Sequence, residues 1–358
     1  MKSTITSSVE KLEHIESYIS SINTLNKLAS HTATNEDSSK TKAIFENIRS
    51  QNLALRRKKI YEYTSIIIST YGVLENFIES IISSYIQLLN TALHDYSYIP
   101  HTIRENHFQL SAQLIKNLSK PKYNTLTTQE QIIINLHSCI TNTNYKINHY
   151  AYIDHTANFR HDTVISSLKN IGIDDLSNKI LSTENFVRHI SKKYSISNIQ
   201  DITNETLFSP LNDLAQRRNE VSHGQSFELL DHSYLLEIIE FVKEYCLALY
   251  NILQNEYLIL ISKYKSHLQI HPTKLFSNNI ICFKSASGKI KLSDKVICKS
   301  FDNTYTISNI QSIHINKKSE TEHTWSSETI ICIQIDNKIK DNYILYCTDN
   351  ALINIVEL

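Results

Sequence analysis

Ile66-Ile67-Ile68-Ser69-Thr70-Tyr71-Gly72-Val73-Leu74-Glu75-Asn76-Phe77-Ile78, continuing to Leu93, is the stretch that decides the fold class. Ile67, Tyr71, Leu74, Ile78, Ile81, Tyr85 and Leu88 recur in steps of four and three. That period places them on one side of an α-helix, and so long a stripe needs other elements to cover it. Glu75, Asn76 and Glu79 interrupt the run, so it reads as a core helix and not as a membrane span.

Working outward, the helical region extends back to about residue 40, behind a polar loop from His31 to Lys40. Val9, Leu12, Ile15, Ile19 and Ile22 mark an earlier helix over about 5–30. Downstream, after Pro100, helices are expected at 103–118, 128–141, 160–171 and 184–194. A further helix is expected from Asn204 to Ser222, closed by Gly224 as its C′ residue. A long one follows from Phe227 to about Leu268. Only 4 Gly and 4 Pro in 358 residues agree with long uninterrupted helices.

Near His271-Pro272 the period changes from helical to short β-rich runs. These are Ile280–Phe283, Lys289–Leu292, Val296–Cys298, Tyr305–Ile315, Thr329–Ile335 and Tyr343–Cys347, with Ser287-Gly288 and Asp302-Asn303 as turns. The expected architecture is mainly α, a helical bundle followed by a small C-terminal β domain. Its boundaries are 1–35 for an N-terminal helix, 36–271 for the all-α domain and 272–358 for the β domain.

Composition excludes several classes. Lys and Arg number 36 and so do Asp and Glu, so the chain is not a basic nucleic-acid coat. Isolated glycines cannot build a Walker A loop or a dinucleotide turn, and there is no Gly-x-Ser-x-Gly elbow. No cofactor is expected. The 6 cysteines contain no Cys-x-x-Cys pair and read as free thiols. With no apolar leader-like segment, the expected location is cytoplasmic, without membrane attachment.

Chemistry concentrates in Arg217-Arg218-Asn219-Glu220-Val221-Ser222-His223-Gly224. Arginine neutralises phosphate charge and histidine moves protons near neutral pH. Asn219 and His223 share a helix face, and Arg218 is turned by about 100° from Asn219. Two readings fit these residues: an ordinary C-terminal cap, or a phosphodiester-cleaving site.

Arg218-Asn219-x-x-x-His223 resembles the signature of HEPN domains, the higher eukaryote and prokaryote nucleotide-binding superfamily. Tyr71-Gly72-Val73-Leu74-Glu75-Asn76-Phe77-Ile78 resembles the early helix of the MAE_28990/MAE_18760-like HEPN group, where an acidic residue faces the motif helix. Phe159-Arg160-His161-Asp162 to Gly172 is loosely similar too, so the likeness spans roughly residues 40–265. The resemblance implies an all-α domain, often homodimeric, and in many members a metal-independent endoribonuclease. It implies Arg218 as the phosphate-binding residue and His223 as the proton-transfer residue. Asn219 would give a polar contact or orient the histidine, and Glu75 occupies an acidic position of the site.

Arg217, one residue out of register, reads as a phosphate contact or a surface salt bridge. Arg56-Arg57-Lys58-Lys59 reads as an RNA-tracking run or as a solvated helix face. His149, His155 and His161, with Asp154 and Asp162, recur at a spacing that suits no helical metal site, so no metal is expected. The functional expectation is a HEPN-type endoribonuclease acting as a toxin or antiphage effector on RNA. It would be a homodimer, regulated by a partner such as an ATPase. The alternative is a non-catalytic HEPN-like scaffold that regulates a partner enzyme.

Overall fold

A computed structural model describes residues 1–30, 39–54, 58–155, 157–196, 199–224, 228–316 and 318–356. The helices before the sheet are α1 Lys2–Ser30, α2 Ser39–Ala54, α3 Lys58–Ala92, α4 His101–Lys116, α5 Gln129–Thr141 and α6 His161–Lys169. They continue with α7 Leu176–Leu181, α8 Glu184–Tyr194, α9 Asn204–Leu207, α10 Ser209–Ser222 and α11 His232–Tyr264. The mainly α architecture with a C-terminal β region is as the periodicity predicts.

α3 is the axis of the bundle. Its stripe residues Ile67, Tyr71, Leu74, Ile78, Ile81 and Tyr85 are buried against α1, α10 and α11. By length and composition alone α3 would pass as a membrane span, but its apolar face is the bundle core. α11 lies alongside and buries Leu235, Ile239, Val242, Tyr245, Leu249, Leu253 and Tyr257. α1 is no separate unit: Ile5, Leu12, Ile19 and Ile22 belong to the same core.

Three helix boundaries differ from the sequence expectation. The single helix expected over Asn204–Ser222 is broken at Phe208, where α9 ends and α10 begins. Pro210 lies in the first turn of α10; a proline inside a continuous helix would lose a hydrogen bond and clash with the preceding turn. α11 starts at His232, and Phe227 lies outside the described residues. α11 also stops at Tyr264, so Leu268, expected to be helical, opens the sheet instead. Gly224 does terminate α10 as expected, with φ +64° directly after the cap His223.

The strands are β1 Leu268–Ile270, β2 Lys274–Phe276, β3 Ile280–Ser285, β4 Gly288–Lys291, β5 Lys295–Lys299, β6 Tyr305–Ile315, β7 Lys318–Glu320, β8 Glu322–Trp325, β9 Thr329–Ile335 and β10 Ile344–Thr348. A short α12, Asn350–Ile353, follows. All pairings are antiparallel, in the order β1-β10-β5-β6-β9-β3-β2, with β7 on β6 and a separate β4-β8 pair. One face encloses Ile281, Phe283, Ile313, Ile331, Ile333 and Leu345. The other docks Ile297, Ile307 and Tyr346 on the bundle core. Asn255 of α11 accepts the Tyr305 N–H at 3.0 Å, and the Tyr257 hydroxyl donates to the Leu352 carbonyl at 3.0 Å.

The expectation of six free thiols is corrected. Cys282 and Cys332 form a disulfide across β3 and β9. The register sets them directly opposite, with Cα atoms 4.0 Å apart, although 50 residues separate them in the chain. Cys139, Cys246, Cys298 and Cys347 are free and buried, and burial pushes all four thiols up, those of Cys139 and Cys298 to about 11. They are therefore poor nucleophiles.

Candidate active site

α10 presents its apolar side, Leu211, Leu214 and Ala215, to the core. Arg218 comes one turn after Leu214 and continues that side toward α3. An arginine there needs a surface that tolerates charge, and Tyr71 supplies it. The Arg218 Cζ lies over the Tyr71 ring, 5.3 Å from its centroid. Arg218 Nη1 also donates to Asn219 Oδ1 at 3.4 Å. Among the described residues no carboxylate pairs with Arg218.

Arg217 behaves differently. Its Nε donates to Asp213 at 2.7 Å, and its Nη1 donates to the Tyr63 hydroxyl at 3.0 Å and to the Glu228 carbonyl at 3.2 Å. Of its two sequence readings, the structure favours the salt bridge over the phosphate contact: this guanidinium ties α10 to α3 and to the segment that leads into α11. Two adjacent arginines thus diverge, one toward structure and one toward the site.

Asn219 makes no hydrogen bond to the His223 side chain among the described contacts. Its Oδ1 accepts from Asn158 Nδ2 and from Arg218, while its backbone carbonyl accepts the His223 N–H at 3.0 Å. His223 is the C-cap residue of α10 and is exposed, and its ring has no partner among the described residues.

Glu75 lies one turn beyond Tyr71 on α3 and is half-buried. Its neighbour is His155, not an arginine, with Nε2 at 3.8 Å. Glu79, a further turn on, lies 2.6 Å from the same Nε2 and 2.5 Å from Lys122 Nζ. The ligand atoms of Glu75, Glu79 and His155 lie within 4.8 Å of one another, a grouping able to hold a metal ion. The sequence spacing set His155 only beside His149 and His161, and so gave no sign that Glu75 and Glu79 join it in this trio. Here Lys122 already places a cation on Glu79.

Burial alone would raise Glu79, but hydrogen bonds from His155 and Lys122 outweigh it and lower its pKa. Burial would lower His155, but its bonds to Glu79 and to the Ala157 carbonyl prevail and raise it. The Tyr71 hydroxyl is pushed up to about 12, mainly by burial, so it stays neutral while accepting the Phe159 N–H at 2.9 Å.

The other histidines singled out by spacing lie elsewhere. His149 meets Ser83 and Gln87, and His161 is buried between Tyr245 and Ser177. Asp154 accepts from Asn117 and Tyr123. Arg56 and Arg57 lie outside the described residues. Lys58 reaches Asn26 at 2.9 Å and Glu62 at 3.4 Å, and Lys59 is exposed beside the groove near Tyr63 and Asp231. Sequence reasoning missed Tyr71 as a site residue, and with it Glu79, Lys122 and Asn158; His155 was weighed only as a metal ligand and set aside.

The family model described as RiboL-PSP-HEPN matches residues 16–255. The match covers α10, α3 and the connection carrying His155, and it supports the superfamily resemblance without supporting the narrower MAE-like group. HEPN families are associated with ribonuclease activity. No curated protein and no solved structure matches the chain.

Proposed function

The chain belongs to the RiboL-PSP-HEPN family, and from that membership we propose that it is a metal-independent endoribonuclease serving as a cytoplasmic toxin or antiphage effector. The observation that carries the reading is the divergence of Arg217 and Arg218. The first is paired with Asp213, while the second has no acidic partner among the described residues and stands five residues before the exposed His223 on the same helix end. An arginine held by an aromatic face and a neutral amide keeps its charge for an incoming phosphate.

In this reading Arg218 binds the scissile phosphate. The RNA 2′-oxygen attacks the adjacent phosphorus as its proton leaves to a base. The P–O5′ bond breaks and the 5′-oxygen takes a proton, leaving a 2′,3′-cyclic phosphate and a 5′-hydroxyl. His223 carries a proton in one of these transfers, and Glu75 stands beside the reacting groups. A second copy of the chain would supply the second histidine.

The face of α3 next to Tyr71 suits such a copy. Tyr61 and Ile68 are exposed, and Gly72, on the same side, has no atom within 4 Å of where a Cβ would stand. A regulatory partner such as an ATPase would control the toxin. Purified protein incubated with RNA in excess EDTA tests the reading. Cleavage with cyclic phosphate ends is expected; cleavage that requires added magnesium or manganese would contradict the metal-free mechanism.

A further inference from the structure

The geometry points to His155 as a positioning residue of the ribonuclease site, an imidazolium whose clamp on Glu79 fixes the aim of Arg218 through Asn158 and Phe159. This rests on the ribonuclease reading above. Both ring nitrogens face groups that only accept in their usual states: Nδ1 faces the Ala157 carbonyl at 2.9 Å, and Nε2 faces the Glu79 carboxylate at 2.6 Å. A ring so placed carries hydrogen on both nitrogens and is positive. The charged groups that face it are Glu75 and Glu79 from α3 and Lys122 from the connection after α4. Two carboxylates are thus balanced by an ammonium and an imidazolium. Loss of the His155 proton would leave one negative charge uncompensated in a half-buried setting.

The consequence for the site follows along the chain. Three residues after His155, Asn158 donates to Asn219 Oδ1, the same oxygen that accepts from Arg218. Four residues after His155, the Phe159 N–H caps the hydroxyl of Tyr71, on whose ring Arg218 rests. The Phe159 ring also packs on the His155 imidazole, with centroids 4.2 Å apart. Arg160 and the His161 N–H then bond Gln216 and Asn212 of α10 at 2.6 and 3.0 Å. Every described contact that orients Arg218 is therefore shared with the connection that His155 pins to α3. A small displacement of a phosphate-binding group can cost on the order of 10²-fold in rate.

The test is kcat and KM for RNA cleavage across pH for wild type, His155→Ala, His155→Gln, Asn158→Ala and His223→Ala, with melting curves and NMR of the His155 ring nitrogens. Both nitrogens should be protonated at neutral pH and titrate above free histidine. His155→Ala should lose kcat on the order of 10²-fold with little change in KM. His155→Gln, a donor that does not titrate, should recover part of kcat and lack the wild-type alkaline limb. Asn158→Ala should lose kcat while keeping that limb, and it decides the matter if His155→Ala fails to fold. Wild-type kcat and pH profile in His155→Ala or wild-type kcat in Asn158→Ala, beside an inactive His223→Ala, would overturn this inference and leave the ribonuclease reading standing. A neutral His155 ring at pH 7, or a manganese ion displacing its proton, would overturn it as well. An inert wild type, or a fully active His223→Ala, would remove the ribonuclease reading and this inference together.

Discussion

The guanidinium of Arg218 lies over the ring of Tyr71, 5.3 Å from its centroid. The central arginine of the site is thus held by an aromatic residue of the core helix and not by an acid. The arrangement fixes direction without neutralising charge, which suits a group waiting for a phosphate.

Tyr71→Phe keeps the ring and removes the hydroxyl that accepts the buried Phe159 N–H. An orphaned buried donor costs about 1–3 kcal/mol. Urea denaturation should show a loss of that size with a two-state transition. An unchanged midpoint would mean that the Phe159 N–H finds another acceptor.

Gly72 stands in mid-helix with open space around it. Glycine there costs about 0.5–1 kcal/mol relative to alanine, so Gly72→Ala should raise stability by that amount in thermal melts. Gly72→Trp should leave the fold intact but lower self-association in sedimentation experiments and lower RNA cleavage with it. An unaltered dimer in Gly72→Trp would remove this face of α3 from the proposed interface.

The disulfide between Cys282 and Cys332 closes a span of 50 residues. Such cross-links contribute about 2–4 kcal/mol. Reduction, or Cys332→Ser, should lower the stability of the β region by a comparable amount. Because α10 packs chiefly on α3, α9 and α11 and not on β3 or β9, RNA cleavage should change little. A large loss of cleavage on reduction would show that the sheet shapes the site.

Buried histidines set the acid limit. His107 Nε2 accepts the Asn148 N–H at 2.9 Å, and burial lowers its pKa from 6.5 to about 4. Burial does the same to His149 and His161. The unfolded chain takes up these protons near pH 6.5 and the folded chain only near 4, so stability should fall as pH drops through that interval. His107→Gln, which keeps an acceptor, should shift the acid unfolding midpoint downward. No shift would show that other groups govern acid unfolding.

Much of this fold was legible because period and length are local properties. The α3 stripe, the strands around Ile331 and Ile313, and the stop at Gly224 are each written within a few residues of themselves. The break at Phe208 was legible too, in Pro210, but the apolar rhythm of Leu207, Leu211 and Leu214 masked it. The candidate site was legible only where it is local, in Arg218 to His223. His155 meets Glu79 across 76 residues and Asn158 meets Asn219 across 61, and no spacing rule connects such pairs. Tyr71 was hidden differently: it lies on the apolar stripe and reads as core, which it also is.

Cleavage of RNA by wild type and by His223→Ala, with mapping of the cut ends, tests the central claim most directly. His223 is exposed, so its truncation should alter stability by no more than about 0.5 kcal/mol. Loss of a proton-transfer group should reduce cleavage by about 10²–10⁴, with wild-type cuts ending in cyclic phosphate. Equal cleavage by the two proteins at equal melting temperature would contradict the account and leave the Arg218–His223 element as a helix cap.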